Sequence, residues 1–279
     1  MNITSCYSLS EMFYNNENLI SIYFSNKFNS KNINNMDLMF YGCYKLTSIN
    51  INNFDTSSVT NMRSMFYECY SLTSINLSNF NTSSVTNMMY MFAQCSSLTS
   101  INLSNFNTSK VQILDFMFYD RNHLLSIDLS KFITTNVNSM KSMFYICSSL
   151  TSINLSNFDT SRVIYMDFLF AECSSLTSIN LSNFNTSNVK GMYGMFSGCF
   201  NLTSINLSSF NTSNVIYMNG LFDRCYSLTS INLNNFNTSS VKGMALMFYR
   251  CISLKSINLY NFDTSKDTNL DEIFFIVVL

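Results

Sequence analysis

Proline and tryptophan are absent from the 279-residue chain, and histidine occurs once, at His123. With no proline and only 6 glycines, the turns fall to Asn, Asp, Ser and Thr, whose side chains bond to nearby backbone. A single imidazole excludes catalysis by several histidines and a His-based metal site. Charged residues are only 11% and the net charge is -1, so there is no basic footprint for nucleic acid or anionic lipid. Low charge with 47% hydrophobic residues also excludes a charged disordered chain and leaves ample material for a core. No apolar run approaches the ~18 residues of a membrane-spanning helix. The first residues, MNITSCYSLSEMFY, carry neither the basic nor the apolar stretch of a signal peptide. The expectation from these ends is a cytosolic protein or a piece of a longer exported one.

What the chain has is a period. Leucine recurs at Leu46, Leu72, Leu98, Leu124, Leu150, Leu176, Leu202, Leu228 and Leu254, always 26 residues apart, with an earlier copy at Leu19 offset by 27. A fixed period of this length signals stacked repeats. The unit reads L-T-S-I-N-L-S-N-F-N-T-S-x-V-x-x-M-x-x-M-F-x-x-C-x-S. Within it, Ser74 to Ser78 alternate polar and apolar, the pattern of a half-buried strand with Ile75 and Leu77 inward. Asn81-Thr82-Ser83 then reads as a turn and a helix N-cap. Val85, Met88, Met91, Phe92 and Cys95 follow at helical spacing, predicting about three turns of helix, partly 3₁₀.

The fold class expected is an α/β repeat solenoid: a leucine-rich-repeat-like, right-handed coil with one parallel β-sheet face and a row of short helices opposite. It divides into an N-terminal helical half-repeat (1–18), a ten-strand array (19–265) and a C-terminal helical half-repeat (266–279). One unit alone buries too little apolar surface to offset the entropy of ordering it, so stability must come from stacking.

The units MFxxCxSLTSINLSNFNTSxVxxM, over about residues 10–275, resemble the bacterial surface-protein 26-residue repeat. That family covers mycoplasma-type lipoproteins and BspA-like leucine-rich-repeat surface proteins. The resemblance implies a cell-surface or secreted protein without enzymatic activity or cofactor, acting in adhesion or host contact. Its partners would then be a host protein or a polysaccharide. The competing expectation is a purely structural spacer whose faces bind nothing specific.

Several constellations merit weighing. Cys43, Cys69, Cys95, Cys147, Cys173, Cys199, Cys225 and Cys251 form one column, in which Arg121 takes the vacant place. No CxxC occurs, and a spacing of 26 is not that of a zinc site. Stacked in-register thiols point the same way, which disfavours disulfide geometry, so buried free thiols are the leading reading over scattered disulfides. On the sheet face, Ser74, Asn76 and Ser78 and their counterparts would form a hydroxyl–amide lattice. It either bonds within itself or offers a repetitive ligand, a glycan or ice, a regular surface.

Chemical variety lies on the other side, where Tyr67, Tyr119, Tyr145 and Tyr249 stand beside a mixed column that includes Asp120, Arg224 and Arg250. Tyrosine and arginine are the usual anchors of specific interfaces. The irregular coil gathers Asp120, Arg121, His123, Asp128 and Lys131, a small charged group read mainly as a degenerate repeat and secondarily as an acid–base site. The apolar stretch at 274–279, FFIVVL, predicts self-association through the C-terminal end.

Overall fold

A computed structural model describes residues 6–25, 27–266 and 269–274. The chain winds once per repeat, so that identical positions stack. A single core runs from Leu9 to Cys251, built from the leucine, valine, methionine, phenylalanine and cysteine columns. The second Phe of each coil is a ring in one stack, for example Phe66–Phe92 at 5.8 Å and Phe92–Phe118 at 6.2 Å, interplanar angles 6° and 9°.

The expected row of short helices is absent: none of the described residues is helical. Residues 62–72 are consecutive turns instead. Met65, Tyr67, Cys69 and Leu72 donate their N–H to the carbonyls three residues back, at 3.1–3.3 Å. The N–H groups between them leave the coil: Met62, Ser64, Phe66 and Glu68 donate to Asn87, Met89, Met91 and Ala93 of the next one, at 2.8–3.1 Å. Two residues per coil hold left-handed backbone, as Ser64 (φ 52) and Glu68 (φ 61) do. Left-handed residues break the ladder that an α-helix needs. Apolar side chains three and four apart suit a helix and a run of turns alike, which is why the spacing misleads. The two end segments are likewise turns where described, with left-handed Glu11 (φ 58), Asn15 (φ 54) and Glu272 (φ 50).

The strands are also shorter and fewer than ten. Among the described residues β1 (Ser21–Tyr23) pairs with β2 (Ser48–Asn50), and β3 (Ser126–Asp128) with β4 (Ser152–Asn154), all parallel and in register. Elsewhere the segment keeps its alternation, with Ser74 and Asn76 exposed and Leu77 buried, but without a regular ladder. Ile75 is half-buried rather than fully inward. A more continuous pairing lies at the start of the turn segment, where parallel bridges step from Ser8↔Asn35 through Asn61↔Asn87 to Tyr217↔Gly243.

Polar side chains make the corners that proline does not. Asn76, Asn81 and Asn87 each accept, on the carboxamide oxygen, the N–H two residues on, at 3.0 Å. So the exposed asparagine column caps its own coil rather than forming an amide ladder. The threonine expected to cap a helix does something else. Thr82 is fully buried; its hydroxyl donates to the Asn107 carbonyl at 3.0 Å and accepts the Asn107 N–H at 2.8 Å. Thr56, Thr108, Thr134, Thr160, Thr186, Thr212 and Thr238 repeat this bridge to the next coil.

Candidate functional site

The turn side of the solenoid carries a continuous file of aromatic rings. It runs Tyr14, Tyr41, Tyr67, Tyr90, Phe116, Tyr119, Tyr145, Phe168 and Tyr193, with successive centroids 4.5–5.9 Å apart. The rings between Tyr14 and Tyr193 are half-buried, and those two ends are exposed. Burial beneath neighbouring rings pushes the phenols of Tyr67, Tyr90 and Tyr119 above their ordinary range, so they stay neutral donors. Tyr90 (φ 57), Phe116 (φ 58) and Phe168 (φ 56) occupy left-handed positions, where the same column elsewhere has Gly194 and Gly220. A bulky side chain there costs about 1–2 kcal/mol, and since every coil has such a position the strain belongs to the repeat as a whole.

Two clefts flank the end of the file. One, of about 370 Å³, is lined by Phe116, Lys141, Asp167, Phe168, Tyr193 and Tyr217. In it Lys141 Nζ lies 4.1 Å over the Tyr165 ring and 3.5 Å from Asp167. The other, of about 230 Å³, lies between Phe168, Tyr193, Glu172, Asp223 and Arg224. Here Arg224 reaches back two coils to Glu172 at 2.6 Å and also bonds Asp223 at 3.1 Å. It passes over Gly198, whose Cβ would lie 2.5 Å from the Glu172 carboxyl. Burial opposes the Arg224 charge, but the bonds and charges of Asp223 and Glu172 outweigh it and hold its pKa above the ordinary value.

The residues singled out from sequence scatter. Tyr67, Tyr119 and Tyr145 lie in the aromatic file, and Arg224 forms the second cleft. Tyr249 and Arg250 sit beyond the end of the file, the Arg250 guanidinium 5.2 Å from the Tyr249 ring. The charged group of the irregular coil does not assemble. Arg121 is fully buried in the cysteine column, while His123, Asp128 and Lys131 are exposed. The guanidinium donates from Nη2 to the Leu98 carbonyl, and its Nε and Nη1 lack partners. Burial lowers its pKa. His123 Nδ1 is 3.0 Å from the Ser96 carbonyl. Asp120 accepts from Gln94 and Asn122 at 2.9 and 3.0 Å. Asp128 ends β3 and accepts the Ser130 N–H at 2.9 Å, which lowers its pKa.

The eight column cysteines are buried free thiols. Each donates to a phenylalanine carbonyl of the preceding coil, Cys95 to Phe66 at 3.1 Å and Cys147 to Phe118 at 3.1 Å. Among the described residues no His, Cys, Asp and Glu groups are placed to hold a metal. The apolar C-terminal stretch falls mostly outside the described residues.

With this geometry in view, the family model described as "Mycoplasma protein of unknown function, DUF285" matches residues 7–126, 114–206 and 166–277. The chain belongs to that family. No curated protein matches it. Similar solved structures include a leucine-rich repeat protein from Eubacterium ventriosum, at 22% identity and TM-score 0.39 over 85% of this chain. This chain covers 54% of that one, about half its length. Another from Bacteroides ovatus has 18% identity and TM-score 0.32, covering 93% of this chain and 85% of that one. The leucine-rich repeat protein of T. pallidum has 19% identity and TM-score 0.38, covering 61% and 70%. No helix among the described residues is long and apolar enough to cross a membrane.

Tyr90, Phe116, Phe168 and Tyr193, with Lys141 and Asp167, lie outside the tyrosine column and the mixed column beside it, whereas Glu172 and Asp223 fall within those columns without standing out. The file zigzags between columns, taking Tyr67 from one, Tyr90 and Phe116 from another, Tyr119 from the first again, and Tyr193 from a third that also holds Lys141 and Asp167. Plotting all three columns on one unrolled coil would find it.

Proposed function

We propose that this family member is a non-enzymatic surface or secreted repeat protein whose turn side binds a partner protein in adhesion. The observation that supports this reading is the unbroken aromatic file from Tyr14 to Tyr193. Tyrosine-rich patches with a few charged residues make specific contacts at low entropic cost. Four of the eight ring contacts are stacked and the rings between the two ends are half-buried, so few open ring faces are presented. That favours a protein surface over a polysaccharide, because sugars pack on open ring faces. The hydroxyl–amide side supports binding less well, since its asparagines are engaged in their own corners and the strands form two short pairs.

The test is an array of extracellular-matrix proteins and glycans probed with the intact chain and with Tyr119→Ser/Tyr145→Ser. Binding to a protein that weakens at least ~10-fold in the variant supports the reading. Glycan-only binding, or equal binding by the variant, overturns it. Failure of the intact chain to bind any surface favours the spacer.

A further inference from the structure

We infer that the cleft between Tyr193 and Arg224 is a receptor for an arginine side chain presented by a partner protein. This rests on the protein-binding reading above and assigns the chemistry of one anchor.

The aromatic file stops at Tyr193, in the coil that also carries Gly194 and Gly198, and the next coil has Gly220 where earlier coils have Phe116 and Phe168. The Gly194 and Gly198 positions are filled by the Phe168 ring and the Glu172 carboxyl, which a Cβ would meet at 2.7 and 2.5 Å, whereas Gly220 leaves space open. A Cβ at Gly220 would meet only Asp223, at 3.6 Å. Phe168 and Tyr193 are tilted at 48°, and no further ring packs on Tyr193 among the described residues. Tyr193 is exposed, so this ring, unlike those within the file, has a face to offer.

The charge balance selects the ligand. Glu172 and Asp223 contribute two carboxylates against one guanidinium, Arg224, leaving the cleft with one net negative charge (-2 + 1). Asp223 Oδ2 takes both Arg224 Nε and the Ser197 hydroxyl, the latter at 3.0 Å, while Oδ1 is buried without a partner. Arg224 therefore fixes the carboxylates in place without neutralising them. An anion is repelled, and a neutral group leaves the excess charge uncompensated. A cation is attracted by the carboxylates and by the aromatic faces. A planar guanidinium suits both at once, stacking on a ring while its N–H fork meets a carboxylate, which an ammonium does less well. A basic side chain entering here would sit in line with the aromatic file, as one charged anchor at the end of an apolar contact.

The experiment uses the full chain, ¹⁵N-labelled, titrated with the blocked tripeptide acetyl-Gly-Arg-Gly-amide and with its citrulline counterpart, which is isosteric but uncharged. The arginine peptide is expected to shift amides around 193–198 and 220–224. The citrulline peptide should bind at least ~10-fold more weakly, the loss of about 1.4 kcal/mol. Asp223→Asn should weaken the arginine peptide by a similar factor, whereas Tyr67→Ser, far along the file, should not. Equal binding of the two peptides to the wild-type chain overturns the inference without reference to any variant's folding. So do shifts elsewhere, or saturation of the same amides by a neutral oligosaccharide. If the array finds a protein partner but the cleft ignores arginine, the inference fails and the adhesion reading stands. If the cleft takes arginine but no surface is bound, the reverse holds.

Discussion

Replacing Arg121 with methionine should stabilise this protein. The guanidinium occupies a place built for a cysteine thiol, wholly inside the core, with one bond to the Leu98 carbonyl. Its Nε and Nη1 donors have no partner, and no carboxylate is hydrogen-bonded to it. A buried donor left unpaired costs about 1–3 kcal/mol, so two cost roughly 2–6 kcal/mol. Removing the side chain forfeits the Leu98 bond, about 1.5–3 kcal/mol for a charged donor. Methionine is long and flexible enough to fill most of the space, so little cavity penalty arises. From the midpoints of these ranges the net gain is about 2 kcal/mol, in line with other replacements of buried ionic groups by apolar ones. Urea titration followed by circular dichroism reads this as a higher midpoint at unchanged slope. Arg121→Ala serves as a control, since it removes the charge but opens a cavity and should gain less. A midpoint that is unchanged or lowered by methionine would refute the reasoning, because it would mean that the guanidinium is compensated where it lies.

Two other outcomes follow from the bridges between coils. Thr160→Val removes a buried hydroxyl that donates to the Asn185 carbonyl at 2.9 Å and accepts the Asn185 N–H at 2.8 Å. It should destabilise by about 2 kcal/mol, measured as a lower urea midpoint, and no change would discount the bridge. The column thiols should resist Ellman's reagent in the native protein, with Cys6 the first to react, and all should react on unfolding. Burial pushes Cys147 and Cys199 from 9.0 up to about 12. The folded chain thus keeps protons that the unfolded chain releases, so stability is full below pH about 9 and falls from there towards pH 12. Each such thiol lowers stability by up to ~1.4 kcal/mol per pH unit in that window. A flat stability profile across it would place the thiols in solvent.

The winding was legible because the leucine, methionine, phenylalanine and cysteine columns repeat with a step that only stacked coils explain. The turn chemistry was legible too, since a chain without proline had to use asparagine and aspartate at its corners, as Asn76 and Asn81 do. The local conformation was not. Val85, Met88, Met91 and Cys95 have the spacing of a helix face, but their alternate N–H groups bond across coils, and no single-coil periodicity reports that. Thr82 reads as a cap for the same reason: its partner, Asn107, lies 25 residues on. Of the site, the tyrosines of one column were visible. The cleft was not, because it depends on Arg224 reaching Glu172 over Gly198, a contact between residues 52 apart. Arg121 was legible as the occupant of the cysteine column, and its burial there separates it from the exposed His123, Asp128 and Lys131 with which its charge had grouped it.

The winding itself is tested most directly by nuclear Overhauser contacts among selectively labelled phenylalanine rings. Phe66, Phe92, Phe118 and Phe144 should give a chain of contacts, each ring to the one 26 residues away, as their 5.6–6.2 Å centroid spacings require. Contacts confined to near neighbours in sequence, with none between these four rings, would contradict it.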